Sequence, residues 1–341
     1  MWHLLKYLKI TKEDWIRATT RTGTINNYKP EYNLGTQPVR VLHQMVVLMF
    51  QATNQKFLNE IAELLKVGKL HNELAILYEE APIIPGNGKP SNTPRVDVAT
   101  KAIQLHETFL SYMWCIAYAI FVQYIEKIDK PRLNKENGKI THPVLAEEID
   151  KAKEVFEYGT SLIRHFTPWN KEHLPNPEIY EAASRDYPEQ TTLYYTEAIK
   201  FILSHELAHI KLHIDKIQNS TPESHFVEYE MEADNYAIQA VKAGINFFNR
   251  IAVENGVIIS ILSMLFFRAA TTGKKHPSVE DRLTNALEQL APKDNHEAWG
   301  FACIGLQMWE EQFGLNLTWD DSLPTYKDKY YHIVKQIKDR Q

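Results

Sequence analysis

Apolar residues recur at helical spacing along most of the chain, and strand patterns are few. The longest such stretch runs from Val96 to Ile128. Further helices are predicted over residues 45–65, 144–166, 197–215, 227–243, 254–270, 278–290 and 298–313. Two short segments have the composition of strands: His71–Tyr78, which could also be a helix end, and Thr191–Tyr195, which is rich in β-forming residues. The pattern predicts a mainly α-helical α+β fold with a small strand or sheet element.

Proline and glycine interrupt the helical pattern at three places. The clearest is Ala81–Arg95, which has four prolines and two glycines in fifteen positions and therefore cannot continue a helix. We interpret it as a linker or surface loop between a mainly helical N-terminal region, 1–80, and a larger domain, 96–341. A turn is predicted between Pro131 and Pro143, and an irregular segment between Thr167 and Pro188.

Charge and composition narrow the function classes. The 341 residues include 38 basic and 43 acidic side chains, a net charge of -5, so neither nucleic acid nor a membrane surface is an expected partner. The longest apolar runs, Tyr112–Ile125 and Gly256–Phe267, are shorter than the roughly 18–20 residues of a membrane span, and we expect core helices there. Aromatic residues at helical spacing in the first run are therefore assigned to the core.

The cellular compartment is predicted from cysteines and from the start of the sequence. Cys115 and Cys303 lie in apolar helical surroundings, so we expect buried free thiols and a reducing environment. The segment MWHLLKYLKI is interrupted by Lys6 and Lys9 and lacks the pattern of an export signal. Together these features predict a cytoplasmic protein.

The segment FILSHELAHIKLH carries the candidate chemistry, because it contains His205-Glu206-Leu207-Ala208-His209 on a predicted helix. Histidines four residues apart share one face of a helix, so both imidazoles can reach a single zinc ion. Glu206 then faces the water that zinc activates, and we expect it to act as general base and later as proton donor. Both histidines lie on the apolar half of the helical wheel, where an imidazole needs a partner.

The third zinc ligand has to come from elsewhere, since a catalytic zinc usually has three protein ligands and one open position. His213 lies eight residues from His205, about 12 Å along an unbroken helix, and is therefore not expected to be a ligand. His213 is instead expected to hydrogen-bond a residue of the site, to end the helix or to face solvent.

A downstream segment, EYEMEADNYAI, offers carboxylates in a suitable pattern. Glu230 and Asp234 share a helix face with Ala233, Ala237 and Val241, whereas Glu228 and Glu232 fall near Asn235, Gln239 and Lys242. A carboxylate on an apolar face is costly unless it is paired or bound to metal. We predict that Glu230 binds zinc and that Asp234 hydrogen-bonds a ligand histidine.

The order of three motifs resembles a known peptidase group. HELAH, then EMEAD, then HPSVEDR is similar to the gluzincin metallopeptidases, in which the glutamate of an E-x-x-A-D helix completes the zinc site. Within this group the chain resembles the Lit-like phage-exclusion peptidases, over about Ser111–Leu290. The segments Trp169–Tyr180 and Ser111–Lys127 are similar to that family's pattern as well.

The resemblance implies a zincin-like metallopeptidase domain in residues 96–341, with His205, His209 and Glu230 on Zn²⁺. It further implies a cytosolic endopeptidase of abortive infection, which attacks a host translation elongation factor when a phage-derived component signals infection. Arg282 and His276 are expected to brace the site or to stabilise the oxyanion. We expect the substrate backbone to add to a strand near Thr191–Tyr195.

Two other function classes are also compatible with the sequence. One is a sensor that keeps a zincin fold but turns over little substrate, although the intact Glu206 argues against it. The other is a helical structural protein whose zinc only stabilises the fold, in which case a chelator would unfold it.

Overall fold

The computed structural model describes residues 37, 39, 42–71, 74–77, 92–170, 172–177, 186–217, 221–273 and 275–340. Within them the chain is mainly helical, as predicted. The helices are α1 (His43–Gln51), α2 (Gln55–Lys66), α3 (Glu107–Tyr124), α4 (Lys130–Asn137), α5 (Ala146–Ser161), α6 (Asp186–Ala208), α7 (Glu223–Ala243), α8 (Arg250–Leu262), α9 (Val279–Leu290), α10 (Glu297–Phe313) and α11 (Tyr326–Lys338). Two π-helical turns, Ile125–Asp129 and His209–His213, continue α3 and α6, and Leu265–Phe267 is a 3₁₀ turn.

A three-stranded sheet in the described part accounts for the predicted strand element. Its strands are β1 (Ala75–Leu77), β2 (Arg95–Asp97) and β3 (Ala102–His106), in the order β1-β3-β2. The central strand β3 runs parallel to β1, with Leu105 opposite Ile76, and antiparallel to β2, with Ile103 opposite Val96. The strand alternative for His71–Tyr78 is thereby confirmed over Ala75–Leu77, and residues 72, 73 and 78 lie outside the described residues.

The prediction of one helix from Val96 to Ile128 is wrong in its first third. Residues before Glu107 form β2 and β3, and the chain passes from β3 into α3 without a loop. His106 makes this transition, because its backbone is extended and its Nδ1 accepts a hydrogen bond from the Thr108 amide at 3.1 Å. Residues 106–108 at this boundary are polar, but apolar residues continue at helical spacing on both sides of them, so periodicity alone did not reveal the change from strand to helix.

The hydrophobic core is built around α3, every residue of which is buried. Two helical stretches, Glu107–Asn137 and Arg250–Phe267, are long and apolar enough to span a membrane by length and composition. However, 94% and 72% of their most apolar windows are buried inside the fold, which agrees with the expectation of core helices. Cys115 and Cys303 are free and buried, as predicted.

The helices α6 and α8 pack closely, and glycine makes this possible. A Cβ added at Gly256 of α8 would lie 2.5 Å from the Cβ of Glu197 and 2.9 Å from the amide nitrogen of Ala198 on α6. Both atoms belong to the rigid part of α6, so a side chain at position 256 requires one helix to move. The first described helix, α1, also contacts α6, and its Val46 and Phe50 belong to the same core.

The strand predicted at Thr191–Tyr195 is wrong, because this segment lies within α6. Tyr194 and Tyr195 are buried in the core, and burial of this face outweighs their β propensity. The threonines adapt to the helix: the Thr192 hydroxyl donates to the Pro188 carbonyl at 2.8 Å, one turn earlier. The proposed addition of a substrate strand at this segment is therefore wrong as well.

Other boundaries differ from prediction for local reasons. Residues 45–65 form two helices, and the second begins where Asn54 Oδ1 accepts from the Phe57 amide at 2.8 Å. Pro131 does not start a turn, because it stands in the first turn of α4, where a missing amide hydrogen is tolerated. The turn comes at Gly138, which has a φ of 63°.

The amphipathic helix α11 was not predicted. Residues 81–91 of the predicted linker lie outside the described residues, so the domain division stays a prediction.

Candidate metallopeptidase site

Two histidines at the end of α6 form the centre of the site. His205 belongs to the last turn of α6, and His209 opens the π-helical turn that follows. Their Nε2 atoms lie 3.0 Å apart, so both nitrogens point at one location. The exposed fractions of the two side chains are 10% and 18%, which leaves this location reachable from solvent.

Glu230 of α7 completes a three-donor group. Its Oε1 lies 3.3 Å from Nε2 of His209, and its Oε2 lies 3.6 Å from Nε2 of His205. One donor atom from each of the three residues falls within 4.8 Å of the others. Bonds of 2.0–2.1 Å in a tetrahedral zinc site separate neighbouring donors by about 3.3 Å. The donor set and its spacing therefore suit a zinc ion with a fourth position left open.

The two glutamates of the site have opposite electrostatic surroundings. Burial disfavours the charge of Glu230, but hydrogen bonds with His209 and His276 hold the pKa of this carboxyl well below its usual range. Burial raises the pKa of Glu206 to about 7, and the nearby carboxylate of Glu230 acts in the same direction. A carboxyl group in the position of Glu206 can thus exchange a proton near neutral pH, as a general base requires.

Asp234 and Arg282 form a hydrogen-bonded chain on the Nδ1 side of His205. Nδ1 of His205 donates to Oδ1 of Asp234 at 2.9 Å, which leaves its Nε2 free to bind a metal. Arg282 of α9 donates to both carboxylate oxygens of Asp234, at 2.6 Å and 2.7 Å. Burial disfavours the charge of Asp234, yet Arg282 holds its pKa below the ordinary value.

His213 and Glu232 stand behind His209, and these contacts were missed from the sequence. Nδ1 of His213 lies 2.9 Å from Nδ1 of His209, and its Nε2 lies 2.9 Å from a carboxylate oxygen of Glu232. The His213 ring also stacks on Tyr229, with centroids 4.5 Å apart and planes at 18°. Of the three alternatives for His213, the structure matches the hydrogen-bonding partner, since its side chain is buried.

His276 and Arg282 differ in their position relative to the donor group. His276 lies before α9, 58% exposed, with Nδ1 3.1 Å from Oε2 of Glu230, and so stands at the rim of the site. Arg282 is buried, and its Nη1 lies 3.8 Å from the same oxygen. This geometry favours bracing for Arg282 and leaves His276 as the group that can reach a substrate.

The seven residues predicted from the sequence thus lie together at one location formed by α6, α7 and the start of α9. Residues 103–302 match the sequence profile of the family described as peptidase U49, which is more than half of the chain. The chain belongs to the peptidase U49 family. It is therefore a peptidase, and its substrates are proteins. The matched range contains all seven site residues and agrees with the resemblance to Lit-like peptidases at the level of a peptidase family.

Comparisons of this U49 peptidase with curated proteins and with solved structures gave no match. The matched residues begin in β3 and end within α10, so they include the sheet's central strand, the core helix α3 and the whole candidate site. The helices α1, α2 and α11 lie outside the matched range of this family member.

Proposed function

We propose that this U49 peptidase is a zinc-dependent endopeptidase with a zincin-like core of the gluzincin type. The observation that carries the proposal is the convergence of two histidine nitrogens and one carboxylate at zinc spacing, beside a buried glutamate. When bound at His205, His209 and Glu230, Zn²⁺ would make a water molecule more acidic and polarise the scissile carbonyl.

The remaining steps are assigned to the chain's own side chains. Glu206 accepts a proton from the attacking water and passes it to the leaving amine, and a carboxyl pKa near the working pH lets it act in both directions. Asp234 and Arg282 hold His205 in the tautomer that presents Nε2 to the metal. His276, exposed at the rim, is placed to donate a hydrogen bond to the oxyanion of the substrate.

For the biological role we propose abortive infection in the cytoplasm. This part rests on the resemblance to Lit-like phage-exclusion peptidases, carried by HELAH, EMEAD and HPSVEDR. A host protein such as a translation elongation factor is the proposed substrate, and a phage-derived component is the proposed activator. An endopeptidase aimed at translation has to be inactive until triggered, so the purified protein alone is expected to cleave slowly.

The chemistry is tested with Glu206→Gln, which leaves the three proposed ligands intact. The variant should contain as much zinc as wild type and lose nearly all activity, because an amide cannot accept the proton. His205→Ala, His209→Ala and Glu230→Ala should lose tight zinc binding. Metal analysis of the purified proteins, with Glu228→Ala as the control from an exposed position of α7, measures this.

Activity is read from new protein N-termini in cells that express each form, before and after phage infection. Wild type should yield a discrete fragment after infection, and Glu206→Gln should yield none. Near-normal cleavage by Glu206→Gln would contradict its role as the base. Identical profiles for both forms after infection would contradict the abortive-infection role but leave the zinc site untouched.

A further inference from the structure

The π-helical turn after α6 gives His209 an unusual neighbour. A π turn contains one residue more per hydrogen-bonded ring than an α turn and is found frequently at functional sites. Here the amide of Ile214 donates to the carbonyl of His209 at 2.9 Å, five residues back. Within this turn the imidazoles of His209 and His213 meet at their Nδ1 atoms, 2.9 Å apart.

We infer that His213 and Glu232 are positioning residues, which orient His209 and fix its tautomer for metal binding. This inference rests on the proposed zinc site. The carboxylate of Glu232 can only accept, so Nε2 of His213 carries the hydrogen of their 2.9 Å bond. Nδ1 of a neutral His213 is then an acceptor, and Nδ1 of His209 has to be the donor. That assignment leaves Nε2 of His209 without a hydrogen, so that with zinc bound it would coordinate the ion instead of donating to Glu230, 3.3 Å away.

The orientation of His213 is itself fixed from three sides. Its ring is buried, stacks on Tyr229 and is held at both nitrogens. A positioned donor of this kind restricts rotation of the ligand imidazole, and loss of such partners typically costs roughly 10–100-fold in metal affinity. The helical wheel separates Glu232 from Glu230 and Asp234, from which we predict that Glu232→Ala is close to wild type; the contact of Glu232 with His213 reverses that prediction.

The test compares zinc affinities of purified full-length variants, measured by competition with a chromogenic chelator. His213→Leu should bind zinc roughly 10–100-fold more weakly than wild type. His213→Asn should recover most of this loss, because its Oδ1 can accept the hydrogen bond from His209 near the position of Nδ1. The melting temperature of each zinc-free variant is measured as well. If His213 had only a structural role, His213→Leu would lower the melting temperature, and His213→Asn would not restore zinc affinity.

Glu232 provides a second test that does not endanger the fold, since 53% of its side chain is exposed. Glu232→Ala should weaken zinc binding about tenfold. Glu232→Gln, which still accepts from His213, should stay near wild type. Glu228→Ala, on an exposed position of the same helix, is the matched control and should be unchanged.

Three results would overturn the inference. Equal affinities for wild type, His213→Leu and Glu232→Ala would show that His209 needs no such support. Affinity for His213→Asn no better than for His213→Leu would exclude the hydrogen bond. Complete zinc loss from His213→Leu, as expected of His209→Ala, would make His213 a ligand. A wild type that binds no zinc would instead refute the proposed function, and the inference with it.

Discussion

The two histidines proposed as zinc ligands are held by different kinds of neighbours. Behind His205 stands a buried ion pair, since the side chains of Asp234 and Arg282 are only 2% and 7% exposed. Behind His209 stands the ring of His213, which a half-exposed carboxylate holds from the surface. Buried charges are stable only together, whereas an exposed carboxylate is solvated with or without its partner. The support of His205 is thus expected to contribute more to the stability of the fold than the support of His209.

The largest effect of this difference is expected for Arg282→Met. The substitution leaves the buried carboxylate of Asp234 without its cation, and breaking a buried pair in this way costs about 3–5 kcal/mol of unfolding free energy. Urea unfolding of the zinc-free proteins measures it. The control is Lys338→Met, because Lys338 pairs with the neighbouring Asp281 at the surface, 2.7 Å away, where such pairs contribute about 0–1 kcal/mol. Equal losses in both variants would remove the proposed contrast.

A smaller difference is expected in metal affinity. Asp234 bonds His205 directly, and Glu232 acts on His209 only through His213. Asp234→Ala should therefore weaken zinc binding about 100-fold and Glu232→Ala about tenfold, the two ends of the usual range. Chelator competition measures both, and unfolding curves should show destabilisation for Asp234→Ala alone. A stronger loss for Glu232→Ala would mean that the surface support is the more important one.

The smallest effect is expected for Tyr229→Leu. Leucine keeps apolar volume beside His213 but removes the stacked ring, and aromatic pairs contribute about 0.5–1.5 kcal/mol beyond burial. Zinc affinity should fall severalfold and remain above that of His213→Leu in the same titration. If the two variants are equally impaired, stacking and not the hydrogen bond holds His213 in place.

The residues of the site whose relative positions follow from spacing along one helix could be predicted from the sequence. His205 and His209 are one turn apart in any helix, and the wheel placed Glu230 and Asp234 on the inner face of α7, where Asp234 is buried. The contact of Asp234 with His205 follows from that placement. The contact of Glu232 with His213 does not, because it depends on a π turn, and regular helical geometry displaces His213 along the axis.

The errors in the predicted fold have a common cause. Each segment was assigned from its own composition, without the elements that it pairs with or packs against. Thr191–Tyr195 has strand composition, but the core against which α6 packs needs a helical spacing of buried residues. The boundary between β3 and α3 lies in a polar segment, residues 106–108, and only the pairing of β3 with β1 and β2 shows that a strand precedes it. Pairing and packing partners lie far apart in sequence, and the pattern of one segment contains no information about them.

The contact at Gly256 limits sequence variation at a position remote from the chemistry. Glu197, which a Cβ at position 256 would strike, lies eight residues before His205 on the same helix, about 12 Å along its axis. A single methyl group there would act as a wedge between α8 and α6 and tilt the helix that carries both histidines. The proposed metal donors would then shift relative to Glu230 with no change in any site residue. Inactivating substitutions are therefore expected in the interior of α8, where the sequence shows only an apolar helix.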